Sequence, residues 1–439
     1  MNLNYKILND LLVIEDKKNV ILFDSASLLI STIAKTKNLT DAIVAFKNYK
    51  RQACKNVNQK DVFQKDHNNM SICLLLSNDC NLNCKYCYAD GGSYSDVKGK
   101  MDNKSIDESL KFISKNFKDE KKLNISFFGG EPLLFPKSIK YFIERSKTCL
   151  PNTKLSFGLT TNGTILNDEI FSLLKNNRIY FQISLDGDKS IQDDLRSTKT
   201  GQGSYDRIFK NLEQFKKIKK NLVFRTTITP KNLYLSKIYN HFKVLGAKKV
   251  HFEIIGTSPC SPLYFNNQTI KIYKTELNKL AKIYYKDFVN ENKPINISNF
   301  TKFFKHIHFG LKKYKNCAVF NNLIAINFKG AIYPCHRFVG MKNYKLGDIS
   351  QNFDINKSHV QIKNIEKHPS CKKCFARYLC GGGCYHNSLY TLEAKKLFSS
   401  PHCAVYRHSV FLSIWLYANL IQSKKRDNFI KFIESSISL

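Results

Sequence analysis

A chain of 439 residues with 43% hydrophobic and 13% aromatic content is too long for one ordinary domain and can bury a large core. Lys and Arg number 70 against 35 Asp and Glu, a formal charge of +35, which reads largely as a Lys- and Asn-rich background on solvated faces and, as a field, favours an acidic partner. No basic stripe interleaved with aromatics is present, which disfavours nucleic acid, and the longest apolar run, Val410 to Ile421, is too short to cross a bilayer.

The start, MNLNYKILNDLLVIEDKK, lacks the basic-then-apolar order of a secretory signal, so a cytoplasmic location is expected, with no membrane partner. Fourteen cysteines in a reducing compartment are not a disulfide framework, and clustered ones read as metal ligands.

Residues 1–55 read as two short strands, Tyr5 to Ile14 and Val20 to Phe23, then helices from Ser25 and from Thr40, with Asp24 or Ser25 and Thr40 as N-caps. Residues 56–69 are polar and read as a linker. From residue 70, strand-like runs recur at Ser71–Leu76, Leu123–Phe128, Lys154–Thr160, Ile179–Leu185, Leu222–Thr229 and Val250–Ile255, with helical-period segments between them. Strands alternating with helices imply parallel pairing through crossovers, so residues 70–305 are expected to form an α/β partial (β/α)6 TIM-type barrel. After about residue 310 the alternation stops, and residues 306–439 are rich in Cys, Gly and His before a helix-like stretch at 405–421. Metal is expected to replace hydrophobic core there.

Cys80, Cys84 and Cys87 form C-x3-C-x2-C directly after the first barrel strand. Three thiolates can hold three irons of a four-iron cluster and leave one iron open to a small molecule. The plainer alternative is a zinc site whose fourth ligand lies elsewhere. The position favours chemistry, because barrel enzymes place their active residues at the ends of these strands.

With Tyr86 before its last cysteine, this motif resembles that of the radical S-adenosylmethionine (SAM) superfamily, over residues 70–300. The resemblance implies that SAM chelates the open iron and that an electron from the cluster splits its sulfonium to a 5′-deoxyadenosyl radical. The second strand ends in Gly129-Gly130-Glu131, which by resemblance binds the SAM amino group, the glycines letting backbone approach a ligand. The third and fourth strands end in LTTNGT and QISLDG, placing Thr161, Asn162, Ser184 and Asp186 at the same rim, where they suit ribose hydroxyls and the SAM carboxylate. Turn formation is the competing reading of the Asn-Gly and Asp-Gly pairs. Arg196 is a further candidate for the SAM carboxylate.

Seven more cysteines follow: Cys317, Cys335, Cys371, Cys374, Cys380, Cys384 and Cys403. Zinc ribbons could use several of them. Their spacing, with Gly330 before Cys335, resembles the SPASM extension of peptide- and protein-modifying members. That resemblance implies two auxiliary [4Fe-4S] clusters, three clusters in all: Cys371, Cys374, Cys380 and Cys403 for one, and Cys317, Cys335 and Cys384 for the other. Sulfatase-maturating members carry an extra cysteine shortly before the position of Cys317, and HFGLKKYKN has none. The incomplete set is expected either to keep an open iron for a substrate thiolate or to recruit Cys260. His336 replaces the Asp that those members carry after this cysteine, and reads as a base, a hydrogen-bond donor behind the cluster, or a packed residue. Of the four remaining cysteines, which include Cys54, Cys73 and Cys149 read as packing.

The resemblance implies a maturase of a ribosomally made precursor peptide that forms a thioether or carbon crosslink, fed by an electron donor such as flavodoxin or ferredoxin. The N-terminal unit resembles the small winged-helix-like leader-recognition domain of such maturases, where a peptide adds as a strand, and is expected to be removable without loss of any ligand. Alternatives are formylglycine formation as in sulfatase maturation, epimerisation, or a tyrosine-directed oxidation. A zinc- or cluster-bearing nucleic-acid module is the alternative of another class, and it predicts no SAM site.

Overall fold

The computed structural model describes residues 3–35, 38–55, 69–94, 96–291, 294–351, 353, 365–392 and 401–435. The linker expected at 56–69 falls, but for its last residue, outside them.

The chain opens as a meander of four antiparallel strands, β1 (Asn4–Leu8), β2 (Leu11–Glu15), β3 (Asn19–Asp24) and β4 (Ile30–Ala34), followed by one helix, α1 (Leu39–Lys55). The run expected as a single strand from Tyr5 to Ile14 is thus a hairpin, turned at Asn9-Asp10 with Asn9 at φ 55. The helix expected from Ser25 does not form. The Asp24 carboxylate instead accepts from the amides of Ala26 (3.1 Å) and Ser27 (2.7 Å) and from the Ser27 hydroxyl (2.7 Å), a local turn that outcompetes the first helical turn. The chain then returns as β4, whose Ile30, Thr32 and Ile33 favour a strand. The unit is α+β as expected, but with a strand in place of its first helix, and Asn38, not Thr40, caps α1 through the Thr40 amide at 3.0 Å.

Both faces of this small sheet are covered. Leu12, Ile14, Ile21 and Phe23 join the main core, and the alternate set, Leu11, Val13, Val20 and Leu22, packs with Phe46 of α1. Each such side chain contributes roughly 1.5–3 kcal/mol when fully buried.

The barrel strands are β5 (Asn69–Leu75), β7 (Lys122–Phe128), β8 (Lys154–Thr161), β9 (Tyr180–Ser184), β11 (Leu222–Ile228) and β12 (Ala247–Ile254); two short strands, β6 (Leu82–Cys84) and β10 (Arg196–Thr198), pair with each other outside the sheet. All six runs read from the sequence are strands, parallel and in sequence order. The intervening helices are α2 (Asn103–Phe117), α3 (Pro136–Cys149), α4 (Asp168–Asn176), α5 (Lys189–Leu195), α6 (Tyr205–Ile218) and α7 (Leu235–Val244). After α8 (Asn267–Asn290), β13 (Asn296–Ile297) extends the sheet beyond β12.

The barrel does not end where expected. The boundary drawn at 305/306 falls inside α9 (Ser298–His308), and β14 (Leu323–Ile326) then adds in parallel to β5. β15 (Ala331–Tyr333) and β16 (Gly347–Asp348) continue antiparallel, completing a ten-stranded sheet. Beyond it lie three short helices, α10 (Pro369–Lys372), α11 (Arg377–Cys380) and α12 (Tyr385–Leu392), then α13 (Pro401–Ile421) and α14 (Arg426–Ser435). α13 is buried along most of its length against α8 and α9, with Trp415 on Tyr285 and Tyr406 on Phe303. Among the described residues no helix is long and apolar enough to cross a membrane.

Candidate metal centres

Cys80, Cys84 and Cys87 sit on the loop leaving the C-terminal end of β5, and that loop is held from two sides. On one side, the Gly129-Gly130 turn after β7 lies against it so closely that a Cβ on Gly130 would stand 2.0 Å from the Asp79 carbonyl oxygen, and one on Gly129, at φ +134, 2.4 Å from that of Ser77. The Glu131 amide donates to the Asp79 carbonyl at 2.9 Å. The sequence reading gave these glycines to ligand approach; in the structure they admit the chain's own cysteine loop.

On the other side, β6 pairs with β10, matching Cys84 with Arg196. Arg196 Nε donates to Asp186 Oδ2 at 2.9 Å, the pair being 10% and 0% exposed. The guanidinium also reaches the Cys84 sulfur at 3.9 Å and lies over the Tyr86 ring at 5.2 Å, while the Tyr86 hydroxyl donates to the same carboxylate. Burial opposes the charge of Arg196, but Asp186 outweighs it and raises the pKa. The carboxylate expected for Arg196 was that of SAM; the chain supplies Asp186. Asp186 in turn also accepts from the Thr227 amide at 2.9 Å, so its carboxylate braces the loop.

Glu131 plays the same part. It is 1% exposed and accepts from Thr161 Oγ1 (2.8 Å), the Asn162 amide (2.7 Å) and the Leu133 amide (3.1 Å), which ties the ends of β7 and β8 together. Burial pushes its pKa up to about 7 against those hydrogen bonds. Asn162 Nδ2 donates to Asn81 at 2.8 Å and reaches the Cys80 sulfur at 3.9 Å. Ser184 lies buried at the end of β9. The structure therefore gathers Glu131, Thr161, Asn162, Asp186 and Arg196 around the first thiol group, while Ser184 is placed only at the end of its strand. Asn78, which sequence reasoning missed, is 1% exposed there, and its side-chain oxygen has no partner among the described residues. An orphaned acceptor beside three soft thiols fits a bound cofactor with a hydrogen to donate.

The thiols fall into three electrostatic groups. Cys84 and Cys87 act on Cys80. Cys371, Cys374 and Cys403 act on Cys380, and Cys317 and Cys384 act on Cys335. Burial pushes Cys80, Cys335, Cys371 and Cys380 up to about 12 and Cys84 to about 11. Thiolates are costly in such places unless a cation accompanies them. Among the described residues no three Cys, His, Asp or Glu converge on a single ion.

Cys260 is exposed. Cys73 is buried inside the barrel in the apolar cluster that Cys87 and Cys335 pack against, and burial raises its pKa. Cys149 is half-buried against the main core, and the Cys54 side chain lies outside the described residues.

A cavity of about 370 Å³ connects the second and third groups with the barrel. Cys371, Cys374, Cys380, Cys384 and Cys403 line it, with Arg225 of β11, His251 and Glu253 of β12, Lys302 of α9, and Arg337. His336 also faces it, its ring tilted 39° to that of Phe128 at 4.5 Å, and burial with the neighbouring Arg337 lowers its pKa to about 3.

Arg377, between Cys374 and Cys380, lines one edge of the cavity and reaches from there to the N-terminal sheet. It donates to Asp10 at 2.9 Å, to Ser25 at 3.1 Å and to the Cys374 carbonyl at 3.3 Å. Trp415 Nε1 donates to Asp16 at 3.2 Å, a second tie to the same sheet.

A family model described as the radical SAM superfamily matches residues 74–239. The cysteine-type anaerobic sulfatase-maturating enzyme of Clostridium perfringens (strain 13 / Type A) is 30% identical over 335 residues, covering 70% of this chain and 86% of that protein. The cysteine-type anaerobic sulfatase-maturating enzyme of Clostridium novyi (strain NT) is 29% identical over 345 residues, 71% and 86% of the two chains. The solved structure of native anSMEcpe with bound AdoMet superposes with a TM-score of 0.68 at 22% identity, covering 80% of this chain and 99% of that one, a likeness of fold.

Proposed function

The chain belongs to the radical SAM superfamily, and from that premise we propose that it is a maturase oxidising a side chain of a polypeptide substrate. The observation that carries this reading is the gathering of ten cysteines into three mutually interacting groups, the first on the barrel rim. The family uses a [4Fe-4S] cluster with SAM, which supplies a 5′-deoxyadenosyl radical. Cys80, Cys84 and Cys87 would hold that cluster, and Cys317, Cys335 and Cys384 together with Cys371, Cys374, Cys380 and Cys403 would hold two auxiliary ones.

The protein's own work is placement. Gly129 and Gly130 seat the cysteine loop, and Arg196 and Asp186 fix its far side. A side chain that loses a hydrogen atom must lose a further electron to become a closed-shell product. The auxiliary groups and the cavity joining them to the barrel offer a route for it, towards an external carrier such as flavodoxin or ferredoxin.

Similarity to the sulfatase-maturating relatives supports oxidation of a substrate cysteine or serine to formylglycine as the leading finer reading. A specific observation favours the other reading, crosslink formation in a ribosomally made precursor peptide: Cys317, Cys335 and Cys384 form a set of three. An open iron there would receive a substrate thiolate. The exposed edge strand β1, with Tyr5, Ile7 and Leu8 towards solvent, is where we place the segment flanking the modified residue.

Incubating the reconstituted protein with SAM, a reductant and a cysteine-containing peptide tests the reading by mass spectrometry. Formylglycine formation removes sulfur, and a crosslink removes only a pair of hydrogens. An unaltered peptide under conditions that consume SAM, across cysteine and serine substrates, would contradict it.

A further inference from the structure

The cavity beside the auxiliary thiols is strongly cationic for an enclosed space. Arg225, Lys302, Arg337, Arg377 and Arg407 line it, against Glu253 as the single carboxylate among its described lining residues. Three of these charges have evident duties. Arg377 pairs with Asp10, Lys302 lies 4.2 Å from the Tyr406 ring facing Cys380, and Arg407 faces Cys403. Glu253 accepts from His251 at 2.9 Å, and its 36% exposed side chain opens into the cavity.

Arg225 faces Glu253 and Arg337 faces Cys335, but neither is in an ion pair among the described residues. Both act on His336, so they face the same part of the cavity from β11 and from the turn after Cys335. Among the described residues Arg337 Nε is buried without a hydrogen-bond partner, and so is the hydroxyl of the fully buried Tyr273, which lines the same cavity. Gly256 makes room for the guanidinium, since a Cβ there would stand 2.9 Å from Arg337 Nη2. The guanidinium rests 5.1 Å over the ring of Tyr88, the residue after Cys87. Orphaned buried donors with two guanidiniums call for an acceptor-rich anion.

We propose that Arg225 and Arg337, with the Tyr273 hydroxyl, form a carboxylate-binding subsite for the polypeptide substrate, seating an acidic group beside the residue to be modified. This rests on the polypeptide reading above and adds to it a substrate class: segments with a carboxylate next to the target. The carboxylate is an Asp or Glu side chain or the chain's own C-terminus. A neutral isostere would offer Arg337 Nε and the Tyr273 hydroxyl a poorer acceptor, which is how a site built for hydrogen bonding rejects it.

The test is equilibrium binding of short cysteine-centred peptides to the iron-reconstituted holoprotein: one with Glu beside the cysteine and one with Gln, each with a free or an amidated C-terminus. A carboxylate should tighten binding by about tenfold. If Glu confers this the source is a side chain, and if the free terminus does the source is the C-terminus. Arg225→Gln, distant in sequence from every thiol, should abolish the preference at unchanged iron content, Arg337→Gln should weaken it, and Arg225→Lys should restore part of it. Equal binding of all four peptides overturns the subsite. So does a preference that survives Arg225→Gln while the reduction potential of an auxiliary cluster shifts, because the charge would then serve the cluster. Failure of every peptide to bind overturns the polypeptide reading along with the subsite.

Discussion

The two ends of the molecule hold thiols by different means. The barrel loop carrying Cys80, Cys84 and Cys87 is fixed by the chain itself, through the β6–β10 pair, the Gly129-Gly130 turn and the Arg196–Asp186 bridge. The C-terminal thiols sit on short helices and turns, and Cys403 joins them only at the start of α13. The first site is preorganised by hydrogen-bonded structure. The second has little secondary structure among its thiols and leans on neighbouring units such as the N-terminal sheet, and on the function proposed above it relies on bound metal as well.

The sharpest way to break this contrast is Gly130→Ala. The added methyl meets the Asp79 carbonyl and must displace the cysteine loop. A shift of about 1 Å costs roughly a hundredfold in rate, so deoxyadenosine formation should fall at least that far while auxiliary iron is retained. Near-native SAM cleavage would show the loop to be compliant.

Next in size is Arg196→Met, which leaves Asp186 buried and unpaired, a loss of about 3–5 kcal/mol where one partner of a buried bridge is removed. Urea unfolding should show it, and Asp186→Asn in the same chain should recover part of it.

Iron removal by a chelator should separate the regions. Hydrogen exchange is expected to rise across residues 365–392 and to stay low in β5 to β12. Equal loosening of both would contradict the contrast.

How much of this could be read in the sequence follows the same division. The six barrel strands were legible because apolar runs of strand length recur between helical-period segments, and the thiol sets because their spacing is dense. Three things were hidden. The helix expected from Ser25 lost to the Asp24 turn, a side-chain effect that propensity does not register. β6, β10 and β14 to β16 are two to four residues long, below the length at which periodicity speaks. Arg196 found Asp186, and Arg377 found Asp10, because sequence shows which charges exist but not which ones meet.

The last of these corrects an expectation. Residues 1–55 cannot be removed without cost to the C-terminal thiols, because Leu12, Ile14, Ile21 and Phe23 share the main core and Arg377 is anchored in that sheet. Arg377→Ala is a milder probe. Asp10 is 48% exposed, so the ion pair itself is worth under about 1 kcal/mol. The expected outcome is faster exchange in β1 and β2 and a perturbed spectrum of the reduced auxiliary cluster proposed for Cys371, Cys374, Cys380 and Cys403, with SAM cleavage retained.

The smallest effect concerns acid. Burial works to raise the pKa of Asp24, but its hydrogen bonds from Lys50 and Ser27 prevail and lower it. A carboxyl with a lowered folded pKa adds stability above the unfolded value of about 4, and that stability is lost as pH falls through the folded value. Asp24→Asn should therefore flatten the acid limb of N-terminal unfolding followed by exchange.

The central claim, a SAM-cleaving cluster on the barrel rim distinct from the C-terminal clusters, is tested most directly by one comparison. Native protein and the Cys80→Ala, Cys84→Ala, Cys87→Ala variant are reconstituted anaerobically, and iron and 5′-deoxyadenosine are measured with SAM and a reductant. The account predicts about twelve irons and steady deoxyadenosine formation in the native protein, against about eight irons and none in the variant. Undiminished deoxyadenosine in the variant, or about four irons with bound zinc in the native protein, would contradict it.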